Sequence, residues 1–274
     1  MFVSALITLR EGLEAALVVG IVLSTLRKLG RADRSKPVWA GILSAVIVSI
    51  VAALALKSFG VTLKGRGEEA FEGVMMLLAA GVLTWMIFWM QAQGQQIQAE
   101  LESDVHQAVT TGNTWALFGL GFVAVVREGI ETVLFLTAAT SGATSAQVLI
   151  GGIVGLMVAA VLGWLTFAVG NRLNVSAFFR VTGVLLILFA AGLVAGGVHE
   201  LQEAGVLSVI VEHVWDVNHI LSERVGLGMF LKALFGYNGN PSLLEVVAYG
   251  VYFILMGVLG RRQRRTVVLV EGGL

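Results

Sequence analysis

Hydrophobic positions along this chain come in long unbroken runs, not in the half-polar alternation of a water-soluble fold. Each run is about 17–25 residues, the length that a hydrocarbon layer of about 30 Å asks of a helix. They cover Phe2–Leu26, Val38–Leu56, Glu69–Met90, Trp115–Ala139, Val148–Val169, Phe178–Gly197 and Leu243–Gly260. The pattern predicts an all-α integral membrane protein with seven transmembrane helices. Between the third and fourth runs, Gln91–Asn113 is polar, with Glu100, Glu102, Asp104 and His106 but no Lys or Arg. It reads as a polar helical extension of the third span.

Two runs carry charge at their centres. Arg10-Glu11-Gly12-Leu13-Glu14 and Arg127-Glu128-Gly129-Ile130-Glu131 are near-copies of one pentapeptide. An ionisable side chain at membrane depth costs several kcal/mol, so six of them in two matched clusters point to an ion pathway. On a helix, residues four apart share a face, as do residues three apart. Each motif therefore presents two carboxylates, partly neutralised by an arginine. The competing explanation is that Arg and Glu merely pair to lower their burial cost, but omitting them would cost less. Gly12 and Gly129 are expected to let the first and fourth helices approach closely.

The motifs belong to a longer repeat. Gly73–Gly81 of the third run resembles Gly183–Gly192 of the sixth with one residue inserted. Three runs per copy is an odd number of crossings, so the copies lie in opposite orientations, a 3+3 inverted repeat followed by a seventh helix. The expected organisation is a first repeat at 1–90, a cytoplasmic connector at 91–113, an inverted repeat at 114–197, an extracytoplasmic segment at 198–241, and a seventh helix with a basic tail at 242–274. At 1.5 Å per residue, Glu14 sits about 18 Å and Glu128 about 17 Å from the outer ends of their helices, a common depth. Arg27, Lys28, Arg31, Arg34 and Lys36 follow the first run, Arg172 and Arg180 flank the fifth-to-sixth turn, and Arg261, Arg262, Arg264 and Arg265 follow the seventh. The opposite side holds Lys57, Lys64, Arg66, Arg224 and Lys232, so the bias places the N-terminus outside and the C-terminus in the cytoplasm.

Composition narrows the chemistry. The chain is 57% hydrophobic and 13% charged, with net charge zero and no cysteine. Zero net charge argues against a nucleic-acid partner, and without cysteine any metal is held by oxygen or imidazole. The first run lacks a basic leader and contains Arg10 and Glu11, so it reads as a membrane helix and not as a cleaved signal. Four motif carboxylates face two arginines, an excess of negative charge that suits a hard cation such as Mg²⁺, Ca²⁺, Mn²⁺ or iron. Glu68, Glu69 and Glu72 stand at the outer end of the third run, where Glu69 and Glu72 suggest an entry site. Their plainer role is a solvated helix start favourable to the helix dipole.

These residues resemble the iron permease family of oxidase-coupled high-affinity iron uptake, in its bacterial Efe type. The likeness rests on the paired Arg-Glu-x-x-Glu motifs, on Glu69-Ala70-Phe71-Glu72-Gly73, Thr84–Met90, Ala190–Leu193, Glu203-Ala204-Gly205 and Asp216, and on Phe235-Gly236-Tyr237. It implies seven helices, an extracytoplasmic N-terminus, a multi-pass place in the cell membrane, and iron movement into the cytoplasm. Glu11, Glu14, Glu128 and Glu131 would be the ligands, with Arg10 and Arg127 in support. Iron would be the substrate, with no prosthetic group, and an extracytoplasmic iron-binding protein or oxidase the partner. The acidic loop of fungal relatives has no counterpart here. Alternatives are an importer of another hard divalent cation such as manganese, or a membrane metal sensor that does not transport. An intramembrane di-metal enzyme is disfavoured, because all four histidines lie outside the runs.

Other polar or soft side chains read more simply. His199, Glu200, Glu203, Glu212, His213, Asp216 and His219 form a ligand-rich stretch at helical spacing, best taken as an amphipathic surface segment. Met75, Met76, Met86 and Met90 suit packing. Trp85 and Trp89 suit the membrane interface.

Overall fold

A computed structural model describes residues 1–93, 96–139, 144–168, 175–223 and 226–271; Arg172, Arg224 and Ser141 lie outside the described residues. Among these residues there is no strand. Helix α1 (Phe2–Lys28) is followed by a 3₁₀ turn (Ala32–Arg34), α2 (Ser35–Thr62), α3 (Arg66–Gln93), α4 (Gln96–Thr110), α5 (Thr114–Ala139), α6 (Ser145–Ala168), α7 (Val175–Glu203), α8 (Gly226–Phe235) and α9 (Leu243–Glu271). Among the described residues five segments are long and apolar enough to cross a membrane: Ala32–Gly60, Arg66–Trp89, Ser145–Leu165, Gly183–Glu203 and Leu243–Arg261. Helices α1 and α5, 27 and 26 residues long, have the length as well, but carry the two charged motifs in their middles.

The chain divides into two compact units, Met1–Thr62 with Gln91–Thr182, and Leu63–Met90 with Gly183–Leu274. In the first unit α1 packs on α6, α2 on α5, and α1 on α5. Glycines permit the first two contacts. A Cβ on Gly41 of α2 would collide with the Phe118 carbonyl of α5, and one on Gly151 of α6 with the Met1 carbonyl of α1. Phe118 precedes Arg127 by as many residues as Met1 precedes Arg10, so the two helix pairs meet at matching heights. The motif glycines do not join α1 to α5 as expected. Gly12 faces Ala159 and Leu156 of α6, and Gly129 faces Ser49 of α2. Each glycine opens space for the companion helix behind it, which leaves the glutamate face of the same helix turned inward.

Side chains in this unit are distributed in the sense that lipid demands. Leu43, Ile47 and Val51 of α2 and Leu149, Met157 and Val161 of α6 are exposed, whereas Arg10, Glu11, Glu14, Glu128 and Glu131 are buried. The polar stretch after the third span is helical where it is described, from Gln96 as α4, and belongs to the first unit. Val105 and Ala108 of α4 enter a core with Val22 and Leu26 of α1, Val38 of α2 and Leu117 of α5. Its polar residues form one face and its apolar residues the other, which suits a helix docked sideways on the bundle. Gly112, at φ 68°, then ends α4, with Asn113 N–H donating to the Ala108 carbonyl at 3.0 Å. The Asn113 side chain caps α5 by accepting from Ala116 N–H at 3.1 Å.

In the second unit α3 crosses α7 where Gly73 and Gly197 meet backbone to backbone. Thr84 of α3 and Tyr252 of α9 share a hydrogen bond of 3.0 Å. Of the ligand-rich stretch, His199, Glu200 and Glu203 lie in α7, whereas the part from Glu212 to His219 is not helical, contrary to its spacing. Val214 N–H donates to the Pro241 carbonyl at 3.0 Å and Val217 N–H to the Gly239 carbonyl at 2.9 Å, which diverts those donors from a helical ladder. Glu212, His213 and Asp216 lie exposed along it.

Candidate metal centre

Close contact of α1 and α5 brings the two charged motifs together. One carboxylate oxygen each from Glu11, Glu128 and Glu131 lies within 4.8 Å of the others. Oxygen ligands bind hard divalent cations at about 2.0–2.6 Å, so oxygens on opposite sides of such an ion stand about 4–5 Å apart. The spacing fits a single cation. Glu11 Oε2, Glu128 Oε2 and Glu131 Oε2 are all buried and accept no hydrogen bond from the described residues. A buried carboxylate oxygen without a donor is costly, and here each member of the triad carries one.

The fourth motif glutamate, Glu14, stands apart from the triad. Its Oε1 lies 2.6 Å from Arg10 Nη2, while Arg10 Nη1 pairs with Glu11. Arg10 thus bridges the two carboxylates of its own motif. In the second motif Arg127 Nε lies 3.0 Å from Glu131 and 3.8 Å from Glu128. The four carboxylates and two guanidinium groups leave an excess of two negative charges in a low-dielectric interior. A bound cation or protons on the carboxylates can offset that excess.

A family model described as iron permease FTR1 matches residues 1–265. The chain belongs to the iron permease FTR1 family. Among similar members, the ferrous iron permease EfeU of Escherichia coli O6:K15:H31 is 37% identical over 93% of this chain and 93% of its own length. The EfeU protein of Shigella sonnei is likewise 37% identical over the same shares. That of Yersinia pestis is 34% identical over 93% of this chain and 91% of its own length. No solved structure matches the chain. For a permease of this family, the two Arg-Glu-x-x-Glu motifs are the only segments of the described residues whose carboxylates converge to metal-binding distance.

Glu69 and Glu72 stand at the start of α3 in the second unit, and Glu69 Oε2 is buried without a hydrogen bond from the described residues. Glu200 of α7 is close enough to feel the charge of both. That residue was grouped by sequence with the stretch beyond the sixth run, and only the Gly73–Gly197 crossing carries it to α3. His199 Nδ1 lies 3.0 Å from Glu245 and Nε2 3.3 Å from Glu203. Glu245 escaped the sequence reading. Its Oε1 accepts from Ser242 N–H at 3.1 Å and Oε2 from the Asn238 amide at 2.7 Å. Glu245 N–H donates back to Ser242 Oγ at 3.3 Å. This is a capping box, and Ser242-Leu243-Leu244-Glu245 ahead of an apolar run was its available signal.

Proposed function

We propose that the protein imports iron across the cell membrane, through a carboxylate site where its two Arg-Glu-x-x-Glu motifs meet. The observation that carries this reading is the buried triad of Glu11, Glu128 and Glu131, each with an oxygen that lacks a donor. A hydrated ion entering it exchanges water oxygens for carboxylate oxygens, and its charge offsets the excess of two negatives. Glu14 completes the negative field, and Arg10 and Arg127 hold the carboxylates in place. Glu69 and Glu72 gather the ion first, from outside.

The reading includes seven transmembrane helices, α1, α2, α3, α5, α6, α7 and α9, with repeats at 1–90 and 114–197 in opposite orientations. The matched contacts of Gly41 with Phe118 and of Gly151 with Met1 support it, since exchanging the repeats carries one contact onto the other. The N-terminus lies outside, segment 91–113 and the tail of 242–274 in the cytoplasm, and 198–241 outside. An extracytoplasmic iron-binding protein or oxidase supplies the ion. Initial rates of radioiron uptake into proteoliposomes at controlled redox potential test the reading. Saturable iron uptake, with manganese a poor competitor, is the expected result. Manganese carried in preference to iron would replace the substrate, and binding without uptake would make the protein a sensor.

A further inference from the structure

The two charged motifs are copies in sequence, yet their arginines have unlike surroundings. The Arg10 side chain is 5% exposed and that of Arg127 is 32% exposed. Arg127 borders an open cavity of the first unit. This cavity, of about 760 Å³, has Arg127 and Glu128 at one end, Gly119 and Ala124 along its length, and Asp104 and Gln107 of α4 in its wall. At about 30 Å³ per molecule that volume holds about 25 waters, ample for a cation with its hydration shell. On helix α4, Val105 and Ala108 enter the apolar core, and Asp104 and Gln107, exposed and one turn apart, line the cavity together with Ala108.

We infer that this cavity is an aqueous vestibule joining the central carboxylates to the end of the bundle where α1 finishes and α5 begins. A hydrated cation leaves through it, past Arg127 at the inner end and Asp104 and Gln107 further out. The Arg10 side chain is buried, and Arg127 is the motif arginine that lines this cavity. The identity of the ion and the direction of flow rest on the iron-import reading; the vestibule itself rests on geometry.

Gly119 supplies a clean test, because a Cβ placed there meets nothing within 4 Å. Gly119→Phe fills the cavity without striking the backbone. It is expected to cut maximal uptake by about tenfold or more, as an apolar plug excludes water, while the melting temperature of the detergent-solubilised protein holds. Gly119→Ala and Gly257→Phe, the latter at an equally open position on α9, should transport normally. A folded Gly119→Phe protein with wild-type rates would overturn the vestibule. Should that variant misfold, Ala124→Cys decides. A charged, membrane-impermeant thiol reagent should reach it from the face that labels Asn113→Cys, and block uptake. Reaction no faster than at the exposed Val158→Cys overturns the inference. Slowing of the reaction by Fe²⁺ supports both readings. Slowing by Mn²⁺ alone keeps the vestibule and removes iron as its ion, and slowing by neither removes the vestibule from the ion path.

Discussion

Replacing Glu128 by glutamine perturbs the central site with least collateral change. Glutamine keeps the shape and one carbonyl acceptor, and removes the charge and an anionic ligand. Glu128 supplies one of three oxygens within 4.8 Å, yet its ion pair with Arg127 is long, 3.8 Å against 3.0 Å for Glu131. Arg127 therefore keeps its nearer partner in the variant, and repulsion among the remaining carboxylates falls. Loss of a hydrogen bond or contact to a charged group costs about 1.5–3 kcal/mol. At 1.4 kcal/mol per tenfold, apparent affinity for iron should fall by about 10- to 150-fold. Stability should change by no more than ~1 kcal/mol, because the lost pair is long and Arg127 is partly exposed. Initial radioiron uptake against concentration in proteoliposomes measures the first quantity, and thermal unfolding in detergent the second. A folded, inserted Glu128→Gln protein with wild-type affinity would refute the shared site. Glu131→Gln separates the two effects from the other side: it breaks the 3.0 Å pair, so both transport and stability should suffer.

Glu14→Ala should abolish uptake and also destabilise the fold by about 3 kcal/mol, because it strips a buried partner from Arg10; intact thermal stability would show that Arg10 does not depend on it. Glu69→Ala with Glu72→Ala should weaken apparent affinity more than maximal rate, since high external iron bypasses a damaged entry site, and wild-type kinetics would remove both residues from the pathway. Gly155→Leu should prevent folding, as a Cβ there collides with Thr8 and the Ala5 carbonyl; normal yield and melting temperature of that variant would contradict the α1–α6 packing. Orientation can be read from introduced cysteines, since the native chain has none. Asp33→Cys should resist an impermeant reagent from outside and Ile210→Cys should react. Ile210 is 72% exposed. The reverse pattern would turn import into export.

Sequence alone determined the class of fold, because membrane solvent imposes its length and hydropathy rule residue by residue and needs no tertiary context. The charged motifs were legible for the same reason: Arg10, Glu11 and Glu14, or Arg127, Glu128 and Glu131, are so costly in an apolar run that their presence implies a use. What lay beyond sequence was anything decided by which helices touch. Near-identical motifs gave no hint that Glu11, and not Glu14, comes within 4.8 Å of Glu128 and Glu131, because that choice depends on how α1 and α5 are rotated against each other. Glycines looked like general spacers, and only packing showed Gly12 and Gly129 serving α6 and α2. Residues 96–110 gave no sign of the core that Val105 and Ala108 enter with α1, α2 and α5, since a helical pattern specifies its own apolar stripe but not the partner that covers it. Glu200 was read with its neighbours in sequence, and the crossing of α3 and α7 set it beside Glu69 and Glu72. Local periodicity encodes what each helix buries; the contacts between helices, which bring residues far apart in the chain within a few ångströms, settle which buried groups act together.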